Sequence, residues 1–237
     1  MLEVHNLKIS YGGMDAVHRV SLEVQAGEIV SIIGANGAGK SSILNAISGI
    51  TSAQSGQIIF DGEQIHGLTS HEVIARKIVQ VPEGRLIFGS LSVEENLHIA
   101  NYQQSRFVLR QGLYAELNQI FPTLMSKLDQ PAASLSGGEA QMLAIARGIV
   151  SKPRLLLLDE PSLGLSPKMA KSVFRLIVQL RNEGLTILVV EQNVVQTLKF
   201  VDRAYVLESG QITQQGTVKE LLSDDRLVSN YLGVEVN

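Results

Sequence analysis

Residues 31–42 read Ser31-Ile32-Ile33-Gly34-Ala35-Asn36-Gly37-Ala38-Gly39-Lys40-Ser41-Ser42, and the reading of this stretch decides the fold. Gly34, Gly39, Lys40 and Ser41 satisfy the pattern G-x-x-x-x-G-K-[ST]. Residues 28–33 before it form a short apolar run expected to be a buried strand. Residues 40–48 after it have helical spacing, with Gly49 placed as a C-cap. A glycine-rich turn between a strand and a helix lets successive backbone N–H groups point inward around phosphate oxygens, and the helix start adds its positive end. Ala35, Asn36, Gly37, Ala38 and Ser42 then line the anion, Lys40 reaches the β- and γ-phosphates, and the Ser41 hydroxyl ligates Mg²⁺. A plain glycine turn is the bland alternative. The motif stands in the strand–helix context that phosphate binding requires, so a nucleoside triphosphate with Mg²⁺ is the expected ligand.

Composition narrows the remainder. The 237 residues suffice for one large domain, or one domain with a lobe. Hydrophobic residues make up 45% and aromatic residues 5%, which suits an α/β protein with aliphatic buried strands. A net charge of −3 excludes a strongly basic footprint, and no nucleic acid is expected as a partner. The sequence has no cysteine, so disulfides and thiolate metal sites are excluded and a reducing cytoplasm fits. The apolar runs 155–158 and 186–190 fall far short of the roughly 20 residues needed to span a bilayer. The start, MLEVHNLKIS, contains Glu3 and alternates like a strand, so no signal peptide is expected.

Periodicity gives the order of elements. Residues 2–10 and 17–24 alternate apolar and polar as half-buried strands do, and 57–60 and 78–81 read as further strands. From about 92 to 148 the pattern is helical, opened by the capping box Ser92-Val93-Glu94-Glu95. Strands return at 155–158, 186–190 and 204–207, separated by helices at 167–183 and 194–200, with a hairpin turn at 208–211. Such alternation predicts a mainly parallel sheet with crossover helices.

The run Arg154-Leu155-Leu156-Leu157-Leu158-Asp159-Glu160 is a buried strand ending in two carboxylates. Asp159 can hold Mg²⁺ through water. Glu160, one residue on, can polarise the water that attacks the γ-phosphate, in a reaction that needs charge stabilisation and an aligned nucleophile. A solvated strand end before the turn residue Pro161 is the alternative. The phosphate loop in the same chain favours the chemical reading.

A third element is Leu135-Ser136-Gly137-Gly138-Glu139, a hydroxyl and two glycines at the start of a helical run. With the phosphate loop and the acidic strand, it makes the sequence resemble the ATPase subunits of ABC transporters, whose signature is this LSGG stretch. The resemblance implies an α/β fold: a P-loop NTPase core with a mixed sheet, an N-terminal antiparallel β subdomain and an inserted helical subdomain. Residues 1–83 and 151–237 would form the core with its antiparallel portion, and 84–150 the helical signature subdomain, all within a single ABC ATPase domain. In that family two cassettes pack head to tail, and each signature closes over the ATP held by the other. Ser136, Gly137 and Gly138 would thus serve the partner's nucleotide, Ser136 with its hydroxyl and the glycines by close backbone approach. Tyr11 resembles the residue that stacks on adenine, and Val17 lies where the ribose would. Residues 163–166 occupy the loop that crosses the dimer interface.

Three positions depart from the commonest family pattern. Glu83 stands where a glutamine is usual, and its carboxylate can still ligate Mg²⁺. Ser166 replaces an aspartate, which puts that residue's hydrogen bonds across the dimer in doubt. Gln192 stands where a histidine contacts the γ-phosphate; it can donate an N–H but takes up no proton at physiological pH. His5, His18, His66, His71 and His98 all lie in the first half of the chain and do not replace it. These departures, with VPEGR at 81–85, LLLLDEPSLGLSP at 155–167 and VEQN at 190–193, resemble the ATPase subunits of branched-chain amino acid importers over residues 1–234. That family implies a second, different ATPase subunit, two membrane permease subunits, an indirectly linked substrate-binding protein, and a cytoplasmic place on the inner face of the membrane. Urea and short-chain amide importers are close relatives, and a non-transport regulatory ATPase is the rival from another class. Leu86, Ile87, Phe88 and Leu91 form an apolar cluster that is either core of the helical lobe or the docking surface for permease loops.

Overall fold

A strand covered on both faces needs a near-continuous apolar sequence, whereas a strand covered on one face alternates. Both patterns occur here and build two sheets. The computed structural model describes residues 1–100 and 112–224. Its strands are β1 (Leu2–Tyr11), β2 (Met14–Val24), β3 (Ile29–Ile33), β4 (Ser55–Phe60), β5 (Glu63–Gln64), β6 (Ile78–Val81), β7 (Leu155–Asp159), β8 (Thr186–Glu191), β9 (Arg203–Glu208) and β10 (Gln211–Thr217).

The continuous runs IVSII, LLLLD and TILVVE of β3, β7 and β8 are buried at every position. They lie side by side in the middle of a six-stranded sheet of order β10-β9-β3-β8-β7-β6. Five of its strands are parallel and β10 returns antiparallel to β9. Alternate residues divide between its two faces. Val30, Ile32, Leu155, Leu157, Leu188 and Val190 pack toward the second sheet and the helix Lys40–Ile47. Ile29, Ile33, Leu156, Leu158, Ile187 and Val189 pack toward the helices Gly137–Val150 and Pro167–Asn182.

The alternating stretches form the antiparallel sheet β2-β1-β4-β5. Its first hairpin runs further than the periodicity predicts, with Tyr11 opposite Met14. Gly12 and Gly13 make this possible: both have positive φ, 56° and 87°, as a two-residue turn between twisted strands requires. Between β6 and β7 the described chain is helical, at Val93–Ile99, Leu113–Ile120, Pro122–Met125 and Gly137–Val150. Residues 101–111 and 225–237, parts of the expected helical and C-terminal portions, lie outside the described residues. The expected box at Ser92 forms, with Ser92 N–H donating to Glu95 Oε2 at 2.9 Å and Glu95 N–H to Ser92 Oγ at 3.1 Å.

The helix expected over 194–200 is shorter, Val194–Thr197. Its end tightens into i→i−3 bonds, Lys199 N–H to Gln196 and Phe200 N–H to Thr197, which turn Phe200 inward. There the Phe200 ring stacks on Phe174 at 4.4 Å between centroids. Both rings are buried, so Phe200→Ala should lose about 3–5 kcal/mol of unfolding free energy. Urea denaturation monitored by circular dichroism checks this, and a midpoint equal to that of the wild-type chain would contradict it.

Candidate nucleotide site

The carboxyl ends of β3, β7 and β8 reach one edge of the parallel sheet, the edge at which open α/β sheets bind ligands. The phosphate loop leaves β3 there and enters the helix Lys40–Ile47 through Gly39. Gly39 has φ 104°, and a Cβ on it would stand 2.5 Å from the Ala16 carbonyl oxygen, so no other residue fits without moving β2. The Lys40 side chain is 4% exposed. Its Nζ donates to the carbonyls of Gly34 at 2.9 Å and Ala35 at 3.1 Å and pairs with Glu160 Oε1 at 3.0 Å.

At the end of β7, Asp159 Oδ1 accepts the Ser41 hydroxyl at 2.9 Å. Burial raises the Asp159 pKa above the ordinary carboxylate value; the Ser41 bond opposes the shift, and the nearby Glu160 and Glu83 charges add to it. Glu160 itself has φ 44°, a left-handed conformation that costs a non-glycine residue about 1–3 kcal/mol. Its N–H donates to Val190 O at 3.0 Å, and its carbonyl accepts Leu163 N–H at 3.1 Å. This bend turns the Glu160 side chain back from the strand toward Lys40.

A cavity of about 390 Å³ joins these parts. Tyr11, Glu83 and Glu160 line it with the loop residues Asn36, Gly37, Gly39, Lys40, Ser41 and Ser42. Gly34 and Ala35 serve through the carbonyls that hold Lys40, while Ala38 is buried and accepts Gly210 N–H at 2.9 Å. Val17 needs correction. It is fully buried, because the alternation of β2 points it inward, and Ala16 lines the cavity instead. Tyr11 is 45% exposed at the mouth, a free face suited to a flat ring. A larger cavity, about 600 Å³, opens beside Leu113–Ile120 and the start of β8 and contains none of the expected site residues.

The signature does not join this cavity. Ser136 caps the helix Gly137–Val150, accepting Glu139 N–H at 3.4 Å and donating its hydroxyl to Glu139 Oε2 at 2.9 Å. Lys127, 2.6 Å from Glu139 Oε1, holds the Glu139 carboxyl below the usual range, helped by the Ser136 N–H. Ser136 and Gly137 are exposed, but Gly138 is buried, and the close approach at its Cα is made by Met169 of the same chain. Of the two glycines, Gly137 lies at the surface and Gly138 is packed beneath Met169. Above Gly137 lies the Arg85 guanidinium, 3.4 Å from where a Cβ would stand. Sequence pattern gave no signal for Met169 or Arg85 at the signature. Gln192 follows β8 and is also exposed, outside the cavity lining.

The apolar cluster has a definite place. Leu86 is 65% and Phe88 45% exposed, beside a groove lined also by Ile74, Val81 and Ala144. Asn96 pins the Phe88 backbone through both its N–H and its carbonyl, each at 2.9 Å, and the Arg147 guanidinium sits over the ring at 5.0 Å. Leu86 and Phe88 thus belong to the surface rather than to the core of the helices.

Comparison with known proteins agrees with this geometry. Residues 17–163 match the model of the family described as ABC transporter. The chain is similar to the high-affinity branched-chain amino acid transport ATP-binding protein BraG of Pseudomonas aeruginosa, with 46% identity over 236 residues, 98% of this chain and 100% of that protein. Its backbone resembles the ADP conformation of MJ1267, an ATP-binding cassette of an ABC transporter, with TM-score 0.85 and 28% identity over 99% of each chain. It also resembles the dimeric structure of MJ0796, a bacterial ABC transporter cassette, with TM-score 0.81 and 26% identity over 92% of this chain and 99% of that one. A strand–loop–helix phosphate cradle, two carboxylates at the end of β7, one strand removed from β3 in the same sheet, and a family match across most of the sequence lead to one conclusion: the chain belongs to the ABC transporter family and is an ATP-binding cassette with ATPase activity.

Proposed function

We propose that this chain powers the uptake of branched-chain or other hydrophobic amino acids, as one of two different ATPase subunits beneath two membrane permeases. The observation that carries the paired arrangement is the division of the site. The phosphate loop and the acidic pair share one cavity, while Ser136 and Gly137 lie exposed on another surface. Two chains packed head to tail would place each exposed signature over the other's cavity. Similarity to BraG supports the amino-acid substrate. No helix among the described residues is long and apolar enough to cross a membrane. As the ATPase subunit of such an importer, the chain would sit on the inner face of the membrane through its permeases. The groove at Phe88 would receive their cytoplasmic loops, and a substrate-binding protein would feed the permeases from the other side.

The residues around Asp159 suit a Mg²⁺ ion. Ser41 offers a hydroxyl, and Asp159 and Glu83 offer carboxylates, the hard oxygen donors that this ion prefers beside phosphates. Asp159 is a buried carboxylate whose charge its surroundings disfavour, the electrostatic condition a divalent cation relieves. Ser41, Asp159 and Glu83 would hold the ion, which would supply positive charge against the phosphates.

Lys40 and Glu160 would then exchange partners. In the structure they satisfy each other at 3.0 Å. A γ-phosphate in the cavity gives Lys40 a stronger anion, and Glu160 is released to orient and polarise the attacking water. Gln192, brought to the same phosphate on closure, would donate an N–H and report its presence.

Glu160→Gln should lower turnover of the assembled transporter by about a hundredfold or more while ATP binding survives. Phosphate release under saturating ATP measures it; full turnover there, with Gln192→Ala inactive, would reverse the two roles. Phe88→Asp should leave ATPase activity in place but uncouple it from uptake of labelled leucine into proteoliposomes. Unchanged uptake would remove the docking role of the groove.

Asp159→Asn tests the electrostatics. The folded chain holds the Asp159 proton more tightly than the unfolded chain does, so ionisation costs stability. That cost is absent below the ordinary carboxylate pKa, grows as pH rises, and is complete above the raised value. The nucleotide-free Asp159→Asn chain should therefore melt at a higher temperature than wild type at neutral pH, with the gap closing in the acid range. A lower melting temperature at neutral pH would contradict it.

A further inference from the structure

Glu191 ends β8, the strand between β3 and β7, and the steps above do not use it. It is 2% exposed. Its carboxylate Oε1 accepts Ser162 N–H at 3.1 Å, and its carbonyl accepts Gly34 N–H at 3.4 Å. One residue therefore touches the phosphate loop through its main chain and the turn after Glu160 through its side chain.

That turn needs a tether. Glu160 is left-handed and precedes Pro161, whose ring pushes the preceding residue toward extended backbone. Such a conformation persists only where the surroundings over-determine it. The Glu160 N–H bond to Val190 fixes where the turn begins, and the Leu163 N–H bond to Glu160 closes it on itself. At its middle, Ser162 is anchored from outside by Glu191. Burial pushes the Glu191 carboxyl up from the ordinary value, and the Ser162 bond opposes this. An apolar residue at this position would avoid the cost of a buried carboxyl, so the contribution of Glu191 lies in the bond it accepts.

We propose that Glu191 is a positioning residue for ATP hydrolysis: by accepting the Ser162 N–H, it holds the Glu160-Pro161-Ser162 turn so that the Glu160 carboxylate faces the phosphate site. The proposal rests on the reading of Glu160 as the group that polarises water. Glu191→Gln keeps an acceptor oxygen on a side chain of the same shape, and Glu191→Ala removes it. In the assembled transporter, Glu191→Ala is expected to lower kcat about tenfold to a hundredfold, with KM for ATP within about twofold of wild type, because it displaces the aligned carboxylate and not the nucleotide. Glu191→Gln is expected to retain at least about half of wild-type kcat, since the hydrogen bond survives.

The purified Glu191→Ala chain should bind a fluorescent ATP analogue as wild type does, which separates a displaced turn from a misfolded chain. Wild-type kcat in Glu191→Ala, an equal loss in Glu191→Gln, or lost analogue binding would each overturn the assignment. Glu160→Gln tells two failures apart. If it is inactive while Glu191→Ala is not, only the positioning role falls. If it is fully active, the reading of Glu160 falls and takes the positioning role with it.

Discussion

Lys40 carries an ammonium to a place almost closed to water, and the carbonyls of Gly34 and Ala35 with the carboxylate of Glu160 compensate for the lost hydration. An unpaired charge there would cost several kcal/mol, so the three oxygens must be delivered together. Two come from the loop after β3 and one from the bend after β7, with β8 lying between those strands. The order of the sheet is thus tied to the charge. Parallel strands covered on both faces bring their carboxyl ends to one edge, and near-continuous aliphatic runs make such strands.

The same charge gives the site its direction of action. A buried pair of opposite charges is satisfied as it stands and releases its carboxylate only to a better anion. The triphosphate that Lys40 would grip is that anion, so readiness for chemistry would follow from binding. Asp159 adds to this. Its ionised form is disfavoured by burial and by two neighbouring carboxylates, and a cation held beside phosphates would remove that penalty. The signature belongs to the same logic from the opposite side. Its capping box is complete within the chain, Ser136 bound to Glu139 and Glu139 to Lys127, yet its hydroxyl and the Gly137 backbone lie at the surface.

Much of this was legible in the sequence, for a common reason. The phosphate loop, the acidic strand end and the box at Ser92 are local: a few consecutive residues determine their own hydrogen bonds. The central strands were legible because burial on both faces leaves an unbroken apolar run. What escaped depends on approach between distant segments. Val17 and Ala16 exchange places through the alternation of one strand. Gly138 makes room for Met169, some thirty residues on in the chain. The helix at Val194 stops early because Phe200 finds Phe174 to stack upon. The Glu191 bond to Ser162 joins two strand ends whose adjacency no spacing encodes.

In the proposed arrangement, a second cassette completes the nucleotide cage and Ser136 acts on the partner's ATP. The most direct measurement is the steady-state ATPase rate of the assembled transporter carrying Ser136→Glu in this chain, beside ATP affinity of the purified variant. A carboxylate aimed at the partner's phosphates should lower turnover by about a hundredfold or more, while this chain's own affinity for ATP stays as it was. Turnover at the wild-type rate would contradict the account, because Ser136 would then be no more than a helix cap.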